Sequence, residues 1–156
     1  MKYKTIDRTL RNVWMAVSKM YQEEAQKLDS TMATGFTLIS IDPEQGSPST
    51  ALGPKMGMEA TSLSRILKSM EERGLIERKP HPEDGRSVLI CLTNFGQEMR
   101  EYSKDVVLGF DQLVRQSITE SELNIFSKVA ESIMDLAHNN KSFSRHKTDS
   151  YVKKNN

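Results

Sequence analysis

Cysteine is almost absent from this chain: Cys91 is the one cysteine in 156 residues, which excludes an internal disulfide and a cysteine-rich zinc site. In a β-rich run, that thiol reads as a small, partly buried apolar side chain. Histidine is nearly as scarce. His81, His138 and His146 have no Cys, Asp or Glu partner at metal-ligand spacing; His138 with His146 could bind a metal weakly, but both read as solvent groups, and no metal site is expected. A Gly-rich phosphate loop and a nucleophile elbow are missing too, so the chain is not read as an enzyme, and neither a catalytic residue nor a cofactor is assigned. No long hydrophobic run exists. The longest uncharged stretch, residues 30–41, is rich in Ser and Thr and falls well short of the ~20 apolar residues that span a bilayer. Met1, Lys2, Tyr3 and Lys4 run into Asp7, Arg8 and Arg11 with no apolar segment, so no export signal is read, no membrane partner is expected, and the cytoplasm is the expected location.

Net charge is also small, at +1, so composition alone does not advertise nucleic acid. Its distribution says more. From Lys141 onward five Lys and Arg stand against the single acid Asp149, so the tail carries +4 and residues 1–140 carry −3. Such an acidic body can bind DNA only if its cations are gathered on one surface. The length suits one domain, and 37% hydrophobic with 28% charged residues fits a soluble, mainly α protein.

Periodicity places the elements. Ile6, Leu10, Val13, Trp14, Val17, Met20 and Tyr21 recur at helical spacing over residues 5–28. After a break at Asp29 and Ser30, residues 31–42 read as a second helix despite Gly35, residues 43–48 as a turn, and residues 49–55 as a short third helix. Gly53, Pro54 and Gly57 punctuate the turn that follows. In the fourth helix Leu63, Ile66, Leu67 and Met70 form one buried stripe, and Gly74 ends it as a left-handed cap. Residues 75–79 and 88–92 read as paired strands. The loop between them holds Pro80, Pro82, Asp84 and Gly85, which makes it stiff and exposed rather than a two-residue hairpin turn. Thr93 caps a helix reaching about Ser117, with Met99, Tyr102, Val106, Phe110 and Leu113 as its stripe. Thr119 to Glu122 form a capping box that opens the last helix, whose apolar face holds Leu123, Phe126, Val129, Ala130 and Ile133, with Leu136 or Ala137. Past Asn139 polarity rises and periodicity is lost, as in a disordered tail.

A helix-turn-helix followed by a two-stranded wing is a winged helix, whose second helix lies in the major groove of double-stranded DNA. The outer face of that helix carries Thr61, Ser62, Ser64, Arg65, Lys68 and Ser69, hydroxyls and cations suited to an anionic partner with readable base edges. Thr61, Ser62, Ser64 and Arg65 are the candidates for base edges and nearby phosphates; Lys68 and Lys55 are candidate phosphate contacts, with Lys79 and His81 weaker wing candidates, and Thr50 and Ala51 near the DNA backbone. The first, fifth and sixth helices have apolar faces that a small winged helix cannot cover. A homodimer interface built from both chain ends explains them, and a twofold axis would then set two recognition helices about 34 Å apart on an inverted-repeat operator.

The sequence Arg73-Gly74-Leu75-Ile76-Glu77-Arg78, then Asp84-Gly85-Arg86, then five residues and Leu92-Thr93, resembles the wing signature of the MarR family of bacterial transcription regulators. The likeness runs over about residues 5–138 and is strongest over 51–93. It implies a single domain over residues 1–139, with a winged helix at about 31–93, dimerisation helices at about 5–28 and 93–138, and a basic tail at 140–156. By the same resemblance, Arg86 is the wing-tip cation for the minor groove, with Asp84 supporting it. The resemblance also implies a transcription regulator, read here as a repressor, and many such proteins are released from DNA by small aromatic or other amphipathic carboxylates. Peroxide-sensing members use a Cys near the start of the first helix, and this chain has none there. Trp14, Met15, Tyr21, Met32, Phe36 and Tyr102 could line an effector pocket, or they could be plain core and interface. The competing functional reading is a winged-helix dimer that docks on protein instead of DNA, which would favour an apolar or acidic face over residues 61–69.

Overall fold

The computed structural model describes residues 5–82 and 87–139. Its elements in order are α1 (Ile6–Gln26), α2 (Met32–Ser40), β1 (Ser47–Pro48), α3 (Ser49–Met56), α4 (Ala60–Glu72), β2 (Ile76–Pro80), β3 (Val88–Leu92), α5 (Asn94–Ser117) and α6 (Glu120–Asn139). The chain divides into two compact units, residues 1–110 and 111–156.

Local chemistry sets most helix starts. Thr5 accepts a hydrogen bond from the Arg8 amide, and Thr31 does the same for Thr34, each satisfying an amide that the first helical turn leaves without a partner. The box at the head of α6 is reciprocal: the Glu122 amide donates to Thr119 Oγ1 at 3.3 Å, and the Thr119 amide donates to Glu122 Oε2 at 3.0 Å. The Thr119 hydroxyl also donates to Glu122 Oε2 at 2.6 Å, and this bond, followed by the one from the Thr119 amide, holds the Glu122 carboxyl below its usual range.

The core of the first unit comprises Leu38 and Ile41 from α2 and its end, Leu52 from α3, Leu63, Leu67 and Met70 from α4, and Leu75, Ile76 and Ile90 at the sheet. Leu63, Leu67 and Met70 fall at i, i+4 and i+7, so α4 turns one stripe inward and leaves the rest to solvent. The sheet is antiparallel in the order β1-β3-β2, and Ile90 pairs with Ser47 on one side and Arg78 on the other.

Four local expectations are corrected. The turn at 43–48 contains β1, a two-residue strand whose pairing with β3 is tertiary and leaves no periodic trace. Gly53 and Pro54 lie inside α3 rather than in the turn; so near the helix end, proline's missing N–H costs at most one intrahelical bond. Gly57 alone reverses the chain there, at φ 62°, a conformation that side chains other than glycine rarely adopt. Finally, α2 ends at Ser40 instead of near Asp42, and β2 runs Ile76–Pro80, one residue later than expected.

α1 and α6 contain no buried residue, and in α5 only Gly96 is buried. Part of the apolar surface of α1 and α6 faces outward: on α1 Trp14 is 54% and Met15 66% exposed, and on α6 Phe126 is 62% and Leu136 65% exposed; Tyr21 on α1 and Met99, Tyr102, Val106 and Phe110 on α5 are half-buried. Among the described residues no helix is long and apolar enough to cross a membrane, and no cluster of three potential metal ligands exists.

Candidate nucleic-acid interface

The helix-turn-helix is α3, the turn at Gly57, and α4. The Met58 amide donates to the Gly53 carbonyl at 2.9 Å, tying the turn to the end of α3. With the Leu63, Leu67 and Met70 stripe buried, Thr61, Ser62, Ser64, Arg65, Lys68 and Ser69 are all exposed on one connected surface. Arg65 makes no ion pair among the described residues. Lys68 lies 3.9 Å from Glu72, one turn on, with both side chains mostly exposed; such a pair is worth little and is easily given up.

Other candidates are more engaged. Lys55 Nζ donates to the Ser40 carbonyl at 2.7 Å, closing the C-terminal end of α2 and leaving two of its donors for other partners. Lys79 on β2 pairs with Glu77 at 2.6 Å, which raises the pKa of its ammonium. Arg78, which the sequence reading quoted only as part of the wing signature, pairs with Glu71 of α4 at 3.0 Å. That pair neutralises one of the acids near the end of α4. Together with Ser49, Thr50 and Ser64, Arg78 lines a groove of about 440 Å³ running between α3 and α4.

The wing strands extend past β2 and β3, since the His81 amide donates to the Ser87 carbonyl at 3.0 Å. Asp84 and Arg86 lie outside the described residues.

Residues 31–88 match the model of the MarR family. The organic hydroperoxide resistance transcriptional regulator of Bacillus subtilis is 32% identical over 99 residues, which span 62% of this chain and 67% of that protein. The chain belongs to the MarR family. It is therefore a DNA-binding transcription regulator. Solved MarR-family structures share the fold at low identity. S. aureus MepR in complex with DNA superposes with a TM-score of 0.77 at 18% identity, over 85% of this chain and 98% of that one. CouR from Rhodococcus jostii RHA1, bound to p-coumaroyl-CoA, does so at 0.73 and 21%, over 83% and 92%.

In this MarR-family chain a second feature lies away from α4. A half-open cavity of about 40 Å³ lies between α1, α2 and the first half of α5. Four of the six expected effector residues line it, Tyr21, Met32, Phe36 and Tyr102, but Trp14 and Met15 do not. Trp14 shares the side of α1 that bears Tyr21 but lies two turns, about 10 Å, nearer the N-terminus, and it is exposed in the single chain. Tyr21 meets Phe36 edge-on at 5.5 Å and Phe110 at 5.9 Å between ring centroids. The sequence reading missed Glu24, Gly35 and Ser103. Spacing could have found them, since Tyr21 with Glu24, Met32 with Gly35 and Phe36, Tyr102 with Val106, and Ser103 with Val106 and Val107 are neighbours at i, i+3 or i, i+4 on their helices. Lys27 Nζ donates to both oxygens of Glu24 at 2.6 and 2.7 Å; that hydrogen bond raises the pKa of the ammonium, and the nearby Glu23 adds to it.

Proposed function

We propose that this regulator is a repressor that works in the cytoplasm as a homodimer, residues 1–139 acting as one functional unit. On an inverted-repeat operator, two copies of α4 would enter successive major grooves about 34 Å apart. The observation that carries this reading is the pairing of two surfaces: an α4 face of hydroxyls and cations, and apolar side chains of α1 and α6, among them Trp14, Met15, Phe126 and Leu136, that stand exposed in the single chain. Apolar area on that scale is normally an interface. Arg65 is assigned to base edges with Thr61, Ser62 and Ser64 beside it, and Lys68, Lys55 and Lys79 to phosphates. Arg86 is assigned to the minor groove, with Asp84 orienting it; a carboxylate facing phosphate would instead be repelled.

Arg65→Ala is expected to weaken operator binding by about 1–3 kcal/mol and to hardly change binding to scrambled DNA, because a bidentate base contact carries discrimination. Equal losses on both DNAs would make Arg65 a phosphate contact. Arg86→Ala should cost about 1–3 kcal/mol on operator with the dimer intact; unchanged affinity would remove the wing from recognition. Fluorescence anisotropy with both variants measures each effect.

Release is assigned to a small amphipathic ligand in the cavity between α1, α2 and α5. The support is that α2 is shared: Phe36 and Ile39 line the cavity, while Thr34, Thr37 and Leu38 on the same helix are buried, Leu38 in the core that seats α4. A ligand that binds better to a displaced α2 would shift the dimer toward recognition helices that no longer match the groove spacing, and only that difference in affinity drives release.

A further inference from the structure

The chemistry of the cavity between α1, α2 and α5 runs against an anionic effector. Three aromatic residues, Tyr21, Phe36 and Tyr102, line it, and among the described residues Glu24 is the one charged residue that does so. No Lys, Arg or His among the described residues lines it. Lys27 is the nearby cation, and its ammonium is held by both oxygens of Glu24. We propose that this cavity takes a small aromatic or alkyl-aromatic cation, whose positive charge replaces Lys27 on Glu24 and whose apolar part stacks among Tyr21, Phe36 and Tyr102. Binding itself is independent of the regulator reading; only its consequence, release from DNA, rests on that reading.

Three physical points favour the cation. The Lys27 side chain is 62% exposed, and an exposed ion pair contributes little, so a ligand cation can displace it at small cost while Lys27 returns to water. Aromatic faces carry negative quadrupole density and attract cations once water is excluded. An anion meets the opposite situation: it would have to draw Lys27 off Glu24 and then share an apolar site with that uncompensated carboxylate. Space is not a discriminator. At about 40 Å³ the cavity holds only a few waters, so either ligand must widen it, and Met32, a flexible thioether in the lining, can move to make room.

The test uses three probes of similar size and different charge: phenylacetate, phenylacetamide and benzyltrimethylammonium. Each is titrated calorimetrically into the full-length protein without DNA. Benzyltrimethylammonium should bind at least about tenfold more tightly than phenylacetate, the difference expected when a partly desolvated carboxylate attracts one and repels the other. Glu24→Gln should remove that preference and leave phenylacetamide binding unchanged, which also reports that the cavity is intact. Phenylacetate binding as tightly as the cation would overturn the proposal, as would a Glu24→Gln protein with undiminished cation preference, or no binding by any of the three. A separate anisotropy titration on operator DNA reads release. Cation binding that leaves operator affinity unchanged would break the link to regulation and keep the ligand assignment.

Discussion

Gly96→Ala is expected to destabilise the protein by about 3 kcal/mol, lowering Tm by roughly 10 °C. A Cβ at this position would lie 1.9 Å from the Leu75 carbonyl oxygen and 2.9 Å from its carbon. Those are backbone atoms, so no rotamer change can relieve the contact. The position is also where four elements are fastened. The Thr93 hydroxyl donates to the Gly74 carbonyl at 2.6 Å and accepts from the Gly96 amide at 2.9 Å, and the Thr93 amide donates to Leu75 at 3.2 Å. The end of α4, the start of β2, the end of β3 and the start of α5 thus share one set of bonds around a fully buried Leu75. Pushing α5 away would break them and loosen the seat of α4. Urea unfolding of the two proteins measures the difference; a loss under about 0.5 kcal/mol, the range of an ordinary surface change, would contradict this packing.

The second large effect is expected at the other end of the chain. Phe126→Glu with Val129→Glu places two carboxylates on the α6 face where both native residues are at least half exposed in the single chain. If that face is covered by a second copy, the charges would be buried without partners and the dimer would dissociate. Sedimentation should then report one chain instead of two. Operator affinity should fall by about a hundredfold or more, because a second half-site no longer benefits from being tethered to the first. An isolated chain exposes those positions to water, so the same variant should keep its helical content. A variant that still sediments as two chains would move the interface off α6.

What the sequence revealed tracks how local the determining physics is. The Thr119 and Glu122 box and the Thr93 cap were readable because each needs only residues three apart, and the bounds of β3 matched because charged and capping residues flank an apolar run. The stripe of α4 was readable for the same reason, and with it the outward position of Thr61, Ser62, Ser64, Arg65 and Lys68. β1 was not, since two residues have no period and their pairing partner is over 40 residues away. Lys55 appeared free for phosphate in sequence, yet its ammonium reaches the Ser40 carbonyl, a contact 15 residues distant. The effector residues were chosen by kind, as aromatics and methionines, rather than by where α2 crosses α1. Tyr21, Met32, Phe36 and Tyr102 fell at that crossing, Trp14 and Met15 beyond it, and Glu24 was overlooked because a helical glutamate beside a lysine reads as ordinary surface.

The central claim, that two copies of α4 read one operator, is tested most directly by selection from a pool of random-sequence duplexes, followed by titration of the enriched DNA at two salt concentrations. An enriched inverted repeat with half-sites about one helical turn apart is expected, bound by two chains per duplex with an affinity that falls steeply as salt rises. Enrichment of no sequence, or of a site bound by one chain, would contradict it.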